Sequence, residues 1–193
     1  MTSPKAPNRR ASALTTLALL TGLSSLVSCQ ATARSTQITP GPVKIEKMHA
    51  SCVQILVESP RAGIFAGPRI PVDNLQEAIE AAIRESALFE VWSDQESFDF
   101  ELRVQVEEVE EEDYSLDMTS KVTMIWSLVE PGQDEPTWVS QVNSSHKSTP
   151  FDSKDMKARK LFALEGATRK NIDKALRRLS KASLAGEEPE PHP

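Results

Sequence analysis

Few side chains in this 193-residue chain have the type and placement to do chemistry, and the first is the thiol of Cys29. It directly follows Leu26-Val27-Ser28, closing a stretch that opens with Lys5, Arg9 and Arg10 and runs through apolar residues from Ala11 to Val27. A basic start, an apolar middle and a small residue before a cut are the three parts of a secretory leader. As a membrane-spanning helix the stretch falls short. About 18 uninterrupted apolar residues are needed, and Thr15, Thr16, Thr21, Gly22, Ser24, Ser25 and Ser28 interrupt it. Ser28 also suits a leader that is simply cleaved, a reading that leaves Leu26 and Cys29 unexplained.

Leu26-Val27-Ser28-Cys29 resembles a bacterial lipobox. The resemblance implies that the Cys29 thiol carries a diacylglyceryl group, that residues 1–28 leave as a signal peptide, and that the new amino terminus is acylated. Each buried methylene contributes about 0.8 kcal/mol, and two chains anchor a protein stably. The implied partner is therefore the membrane itself, through the lipid. Gln30, rather than Asp, follows the cysteine. In diderm bacteria the resemblance then implies the periplasmic face of the outer membrane.

The remaining candidates are weaker. Cys52 lies in the apolar run from Ser51 to Val57 and reads as a buried, inert thiol, because reactivity requires an accessible, electropositive site. With Cys29 committed, no intramolecular disulfide is expected. Glu165 falls within an apolar helical stripe, where a carboxylate must be paired or protonated. It is expected to tie that helix to backbone amides or to an arginine of the loop entering the first helix. Glu107, Glu108, Glu110, Glu111, Glu112 and Asp113 form an acidic run without the residue order of a calcium loop, and read as a solvated hairpin tip. Ile64 and Phe65, in a loop flanked by Gly63 and Gly67, are the candidate interaction residues: they either fold over the core or offer a patch to a partner. His49, His146 and His192 lack metal-ligand spacing, so no metal is expected. No nucleophile elbow, P-loop or dinucleotide fingerprint occurs, and no cofactor or catalytic residue is assigned.

The net charge is −6, and removing a leader with three basic residues and no acids takes it to −9. That balance disfavours nucleic acid, whose binding requires basic patches.

The elements that must position these residues follow from periodicity. Residues 51–58 read as a strand ended by Pro60. A helix follows, capped by Asp73 or Asn74, with Leu75, Ala78, Ile79, Ala82, Ile83 and Ser86 on one face. Phe98, Phe100, Leu102, Val104 and Val106 alternate with polar residues, the period of a half-buried strand. Strands over 118–129 and 137–147 complete an antiparallel meander. A helix over 153–181 closes the domain, with Leu161, Leu164, Thr168, Ile172, Ala175, Leu176 and Leu179 inward. Its outer face carries Lys160, Lys170, Lys174, Arg177, Arg178 and Lys181, expected in solvent. The expected fold is α+β: a two-layer sandwich of one mainly antiparallel sheet covered by two helices, in the order β-α-β-β-β-α. Residues 29–42 read as the lipidated cysteine and a flexible tether, 43–184 as a single domain and 185–193 as a disordered acidic, proline-rich tail.

Within the closing helix, Glu165-Gly166-Ala167-Thr168-Arg169-Lys170-Asn171-Ile172 resembles a Glu-Gly-Ala-x-x-x-Asn-Ile stretch of bacterial envelope lipoproteins of unassigned role. Those proteins also carry a helix running into a Leu-Phe pair, as Leu88-Phe89 does here. The layout is more loosely similar to the amino-terminal domain of TolB and to transport-auxiliary lipoproteins. The resemblance implies a non-catalytic accessory module that binds an envelope protein. The alternative is a lipid- or glycan-handling lipoprotein with a small ligand on the sheet face or near Phe65. A closed apolar cavity would favour that alternative; a filled core beneath an open sheet would favour protein binding.

Overall fold

A computed structural model describes residues 31–58, 69–91, 97–114 and 116–184. The elements in chain order are α1 (Ser35–Ile38), β1 (Cys52–Glu58), α2 (Val72–Ser86), β2 (Glu90–Val91), β3 (Phe100–Tyr114), β4 (Asp117–Val129), β5 (Trp138–Ser148) and α3 (Met156–Leu179). The five strands form one sheet in the order β2-β1-β3-β4-β5. Strands β3, β4 and β5 make the expected antiparallel meander. Strand β1, however, is parallel to both β2 and β3. The class is α+β as expected, but the sheet is mixed, and α1 and β2 are additions to the expected order. A parallel neighbour for β1 requires a crossover, and α2 supplies it.

Period-two patterning sets which sheet face meets the helices. Val53, Ile55 and Val57 of β1, Leu102 and Val104 of β3, and Val122, Met124, Trp126 and Leu128 of β4 are all buried on one side. Helix α2 packs on β1, and α3 packs on β4 and β5. Of the predicted inner face of α2, Leu75, Ala78, Ile79, Ala82 and Ile83 are buried, and Ser86 at its end is half-buried. Fully burying one such aliphatic side chain contributes about 1.5–3 kcal/mol.

Three expectations need correction. The cap of α2 is Pro71, which makes no side-chain hydrogen bond; the Asn74 amide is instead spent on the Ala33 carbonyl, at 2.7 Å. The acidic run is not a hairpin tip, because β3 continues through it to Tyr114. A register shift between Val106 and Glu108 resets the pleat, so Val109 again packs against the core and Glu111 reaches Lys160 of α3 at 3.4 Å. An extra residue of this kind exchanges the faces of everything after it. Lys121 pairs with Glu110 and Glu112 across the strands.

The third correction concerns the tether. From residue 31 onward the chain is packed, not free. Thr32 bridges Arg69, the Ala33 amide donates to the Arg69 carbonyl at 2.9 Å, and the Arg69 amide donates to the Ala31 carbonyl at 3.3 Å. Ala33, Ile38 and Val43 belong to the core. Helix α1 lies against both α2 and α3. The chain then follows the two helices toward their far ends, where the Glu46 amide donates to Ser180 Oγ at 3.2 Å and the His49 amide to the Leu88 carbonyl at 2.9 Å. Composition suggested a linker because Ser, Thr, Gln and Pro dominate 31–42. Two apolar residues spaced to fit a groove outweigh that average.

Candidate functional site

Cys29, Ile64 and Phe65, the residues singled out from sequence for lipid attachment and interaction, lie outside the described residues. The leader and the tail do as well. Cys52 is half-buried rather than buried. It starts β1 on the face opposite Val53, and its amide donates to Asp99 Oδ2 at 2.8 Å.

The Glu-Gly-Ala-x-x-x-Asn-Ile stretch of α3 works as a set of fasteners. Glu165 Oε1 accepts from the Arg34 amide at 3.3 Å, a backbone tie of the expected kind, but made to the segment before α1 rather than to the loop entering α2. Gly166 meets the His146 ring: a Cβ there would stand 2.0 Å from Cδ2 and 2.4 Å from Cγ. Asn171 is completely buried. Its Oδ1 accepts from Trp126 Nε1 at 3.0 Å. Its Nδ2 donates to the Val142 carbonyl at 2.7 Å, the Val122 carbonyl at 3.1 Å and Ser144 Oγ at 3.2 Å. One amide thereby joins the last helix to two strands, and Ile172 beside it enters the core.

A polar cleft of about 250 Å³ opens beside this stretch, lined by Gln37, His146, Ser148, Asp152, Glu165 and Arg169, with Phe162 at its edge. Burial pushes the Glu165 carboxyl above the usual carboxylate range, against the pull of the Arg34 amide and of the Arg34 and Arg169 charges. Burial, followed by the charges of Lys170 and Arg169, holds the His146 imidazole below its ordinary value. Asp152 is held low by the Thr149 amide at 2.6 Å and the Thr149 hydroxyl at 3.0 Å. Three titratable groups therefore meet in one cleft, and each is already engaged in structure: Glu165 on a backbone amide, Asp152 on the turn after β5, His146 on Gly166. His49 lies elsewhere, stacked on Phe89 at 4.8 Å between centroids, with Nε2 3.3 Å from the Leu179 carbonyl. Thirteen residues of α3 separate Leu179 from Gly166, roughly 20 Å of helix.

The basic face of α3 was expected in solvent, but much of it closes an edge of the sheet. Strand β5 pairs only with β4. Along its other side, Lys170 Nζ donates to the Ser145 carbonyl at 3.1 Å and Lys174 Nζ to the Asn143 carbonyl at 3.0 Å. Arg178 Nη1 donates to the Gln141 carbonyl at 2.8 Å. Residues four apart on the helix meet carbonyls two apart on the strand, because one helical turn of 5.4 Å approximates two strand residues. Sequence reading missed this ladder, although the i, i+4, i+8 spacing of Lys170, Lys174 and Arg178 was visible.

Among the described residues, nothing covers the face of the sheet away from the helices. Leu56, Arg103, Ser127 and Val139 form one row across four strands in register, and Glu58, Gln105, Ile125 and Gln141 form the next. Leu56 and Val139 are 43% and 56% exposed, which is high for strand residues of this type. A second polar depression of about 340 Å³ lies among Glu110, Lys121, Thr123, Asn143 and Lys174. Among the described residues, no helix is long and apolar enough to cross a membrane.

No family model matches the chain, and its sequence matches no curated protein. Solved structures do resemble it. A Xanthomonas campestris protein of the DUF330 family superimposes with a TM-score of 0.53 at 14% identity, covering 77% of this chain and 91% of the other. A minor lipoprotein from Acinetobacter baumannii gives 0.46 at 8% identity, over 67% and 92%. An uncharacterised lipoprotein B from Nitrosomonas europaea gives 0.44 at 13%, over 71% and 86%. The chain thus shares its fold with the Xanthomonas protein.

Proposed function

We propose that the chain is an envelope lipoprotein, acylated at Cys29 and held at the periplasmic face of the outer membrane, that acts by binding a protein rather than by catalysis. The observation that carries this reading is the uncovered sheet face. The described core is filled, the described clefts are polar, and the β5 edge is closed by α3. The broad surface left for a partner is the row pattern around Leu56, Arg103, Ser127 and Val139. Strands β3, β4 and β5 paired over about a dozen residues, with β1 beside them for six, make a face on the order of 500 Å² at ~3.3 Å per residue and ~4.8 Å per strand. That is more than half of the ~800 Å² per partner of a standard protein interface. Two exposed apolar residues within a polar field fit a docking surface that must also remain soluble. Confinement to a membrane raises the local concentration of module and partner, so modest affinity is enough.

Photo-crosslinking residues placed at Leu56 and Val139, and at Asp173 on the helical side, test this in intact cells. Crosslinks to a defined envelope protein from the sheet positions are expected, and their loss in a Leu56→Glu, Val139→Glu variant that keeps its circular dichroism. Crosslinks from Asp173 alone would overturn it. Mass spectrometry of the native product must show acylation of Cys29.

A further inference from the structure

We infer that the domain rests end-on against the bilayer, with Leu116, Phe151, Met156 and Phe162 at the lipid surface. The inference builds on acylation of Cys29 and adds to it a contact face and an orientation.

The argument begins with chain length. Ala31 is fixed to the domain by its carbonyl, which accepts from the Arg69 amide. Only Gln30 separates it from Cys29. Two residues span at most about 7 Å, so the acyl chains must leave the domain close to Ala31. The anchor point is therefore a place on the fold, not the end of a leash.

That place belongs to one end of the molecule. Arg34, three residues on, contacts Glu165 through its amide, and Glu165 and Phe162 line the same cleft as Asp152. Phe151 precedes Asp152, and Ser148 at the end of β5 is paired with Met118 at the start of β4. Leu116 forms the turn entering β4. The amino-terminal end of α2 lies here too, through the bond from Asn74 to Ala33, while α3, met by Arg34 at Glu165, runs on for about 14 Å to its start at Met156.

Most of the exposed large apolar side chains collect at this same end. Phe151 is fully exposed, Leu116 63%, Met156 51% and Phe162 41%. One exposed phenylalanine is ordinary, but four large apolar side chains exposed at one end mark a contact surface. Lys154 and Lys157 are exposed beside Phe151 and Met156. Cations flanking apolar side chains suit an interface, where the stems follow the apolar layer and the ammonium groups reach phosphate. The Gly132 turn between β4 and β5 marks the opposite end and carries only exposed polar and proline neighbours from Pro131 to Pro136.

The test uses the mature lipidated protein, purified from cells that process it, in a Cys52→Ser background. An environment-sensitive fluorophore is placed at Phe151→Cys, at Leu116→Cys or at Gln133→Cys. Each protein is then reconstituted in phosphatidylethanolamine–phosphatidylglycerol vesicles containing doxyl-labelled lipid. Quenching of at least twofold with a blue shift is expected at 151 and 116, and neither at 133. All three positions are exposed, so labelling removes no core packing. Mass spectrometry on the same sample separates the failures. An acylated Cys29 with unquenched 151 and 116, or quenching only at 133, overturns the orientation and leaves the anchor standing. An unacylated Cys29 overturns the anchor and the orientation with it.

Discussion

The ring of His146 occupies the space that a side chain on Gly166 would need, with Cδ2 2.0 Å from the site of a Cβ. Alanine is the better helix former by about 1 kcal/mol, so Gly166→Ala would stabilise an isolated helix. Here the clash involves Cγ as well as the ring edge, and the imidazole cannot swing clear by moving its tip. Overpacking of this kind costs about 1–3 kcal/mol. Gly166→Ala is expected to lower the urea midpoint, and the Gly166→Ala, His146→Ala pair to recover much of the loss. Additive effects in that cycle would show that the two residues are not coupled.

Asn171 is expected to be among the most sensitive positions in the domain. Replacement by Leu leaves the Trp126 indole N–H without an acceptor and removes a donor from two strand carbonyls and Ser144. An orphaned buried polar group costs about 1–3 kcal/mol, and the indole N–H becomes one, whereas the Val122 carbonyl still accepts from Ser144 Oγ. Asn171→Asp should be at least as harmful, because a carboxylate would then face three oxygens. Equilibrium unfolding followed by tryptophan fluorescence measures both; a loss under 1 kcal/mol would show that the amide is dispensable.

The cleft makes stability depend on pH in two opposing ways. The Glu165 carboxyl is raised on folding, so the folded state holds its proton more tightly than the unfolded chain does. Stability from this group therefore grows as pH falls from neutrality through the raised value. His146 is lowered, so its contribution is complete above the ordinary histidine value and is lost as pH falls below it. Glu165→Gln, which keeps an acceptor for the Arg34 amide, should retain or raise the neutral-pH melting temperature and remove the gain on acidification. Glu165→Ala should lower it. Identical pH profiles for wild type and Glu165→Gln would refute the assignment.

Exposed strand edges invite pairing with another chain, and lysines are a common defence. Reversing the ladder with Lys170→Glu, Lys174→Glu and Arg178→Glu should expose the β5 carbonyls and place like charges beside them. The expected result is concentration-dependent association in sedimentation velocity, together with a lower melting temperature. A monodisperse variant with unchanged melting would show that α3 seals nothing.

What the chain reveals on reading depends on how local the cause is. The stripes of α2 and α3 and the alternation of β3 to β5 are dictated by neighbours a few residues away, and they fold as expected. The parallel pairing of β1 depends on a partner some fifty positions distant, and no local pattern specifies it. The β3 bulge hid in the acidic run, because charge suggested a turn while the chain needed only a one-residue change of pleat. Glu165 stood out because an acid in an apolar stripe must find a partner. That its partner lies near the start of the domain was not legible, since Arg34 sits in a stretch whose composition resembles a linker. Cys29, Ile64 and Phe65 remain sequence expectations.

The strap formed by residues 31–49 touches the last helix at both ends, Arg34 on Glu165 and Glu46 on Ser180. Contacts spanning more than 130 positions cannot form until almost the whole polypeptide is available to fold. The first segment delivered thus waits for the last, and an engineered soluble version begun after residue 42 would lack Ala33 and Ile38. It would expose the groove they fill, so a sticky or poorly expressed truncation would report on the missing wedge rather than on the missing lipid.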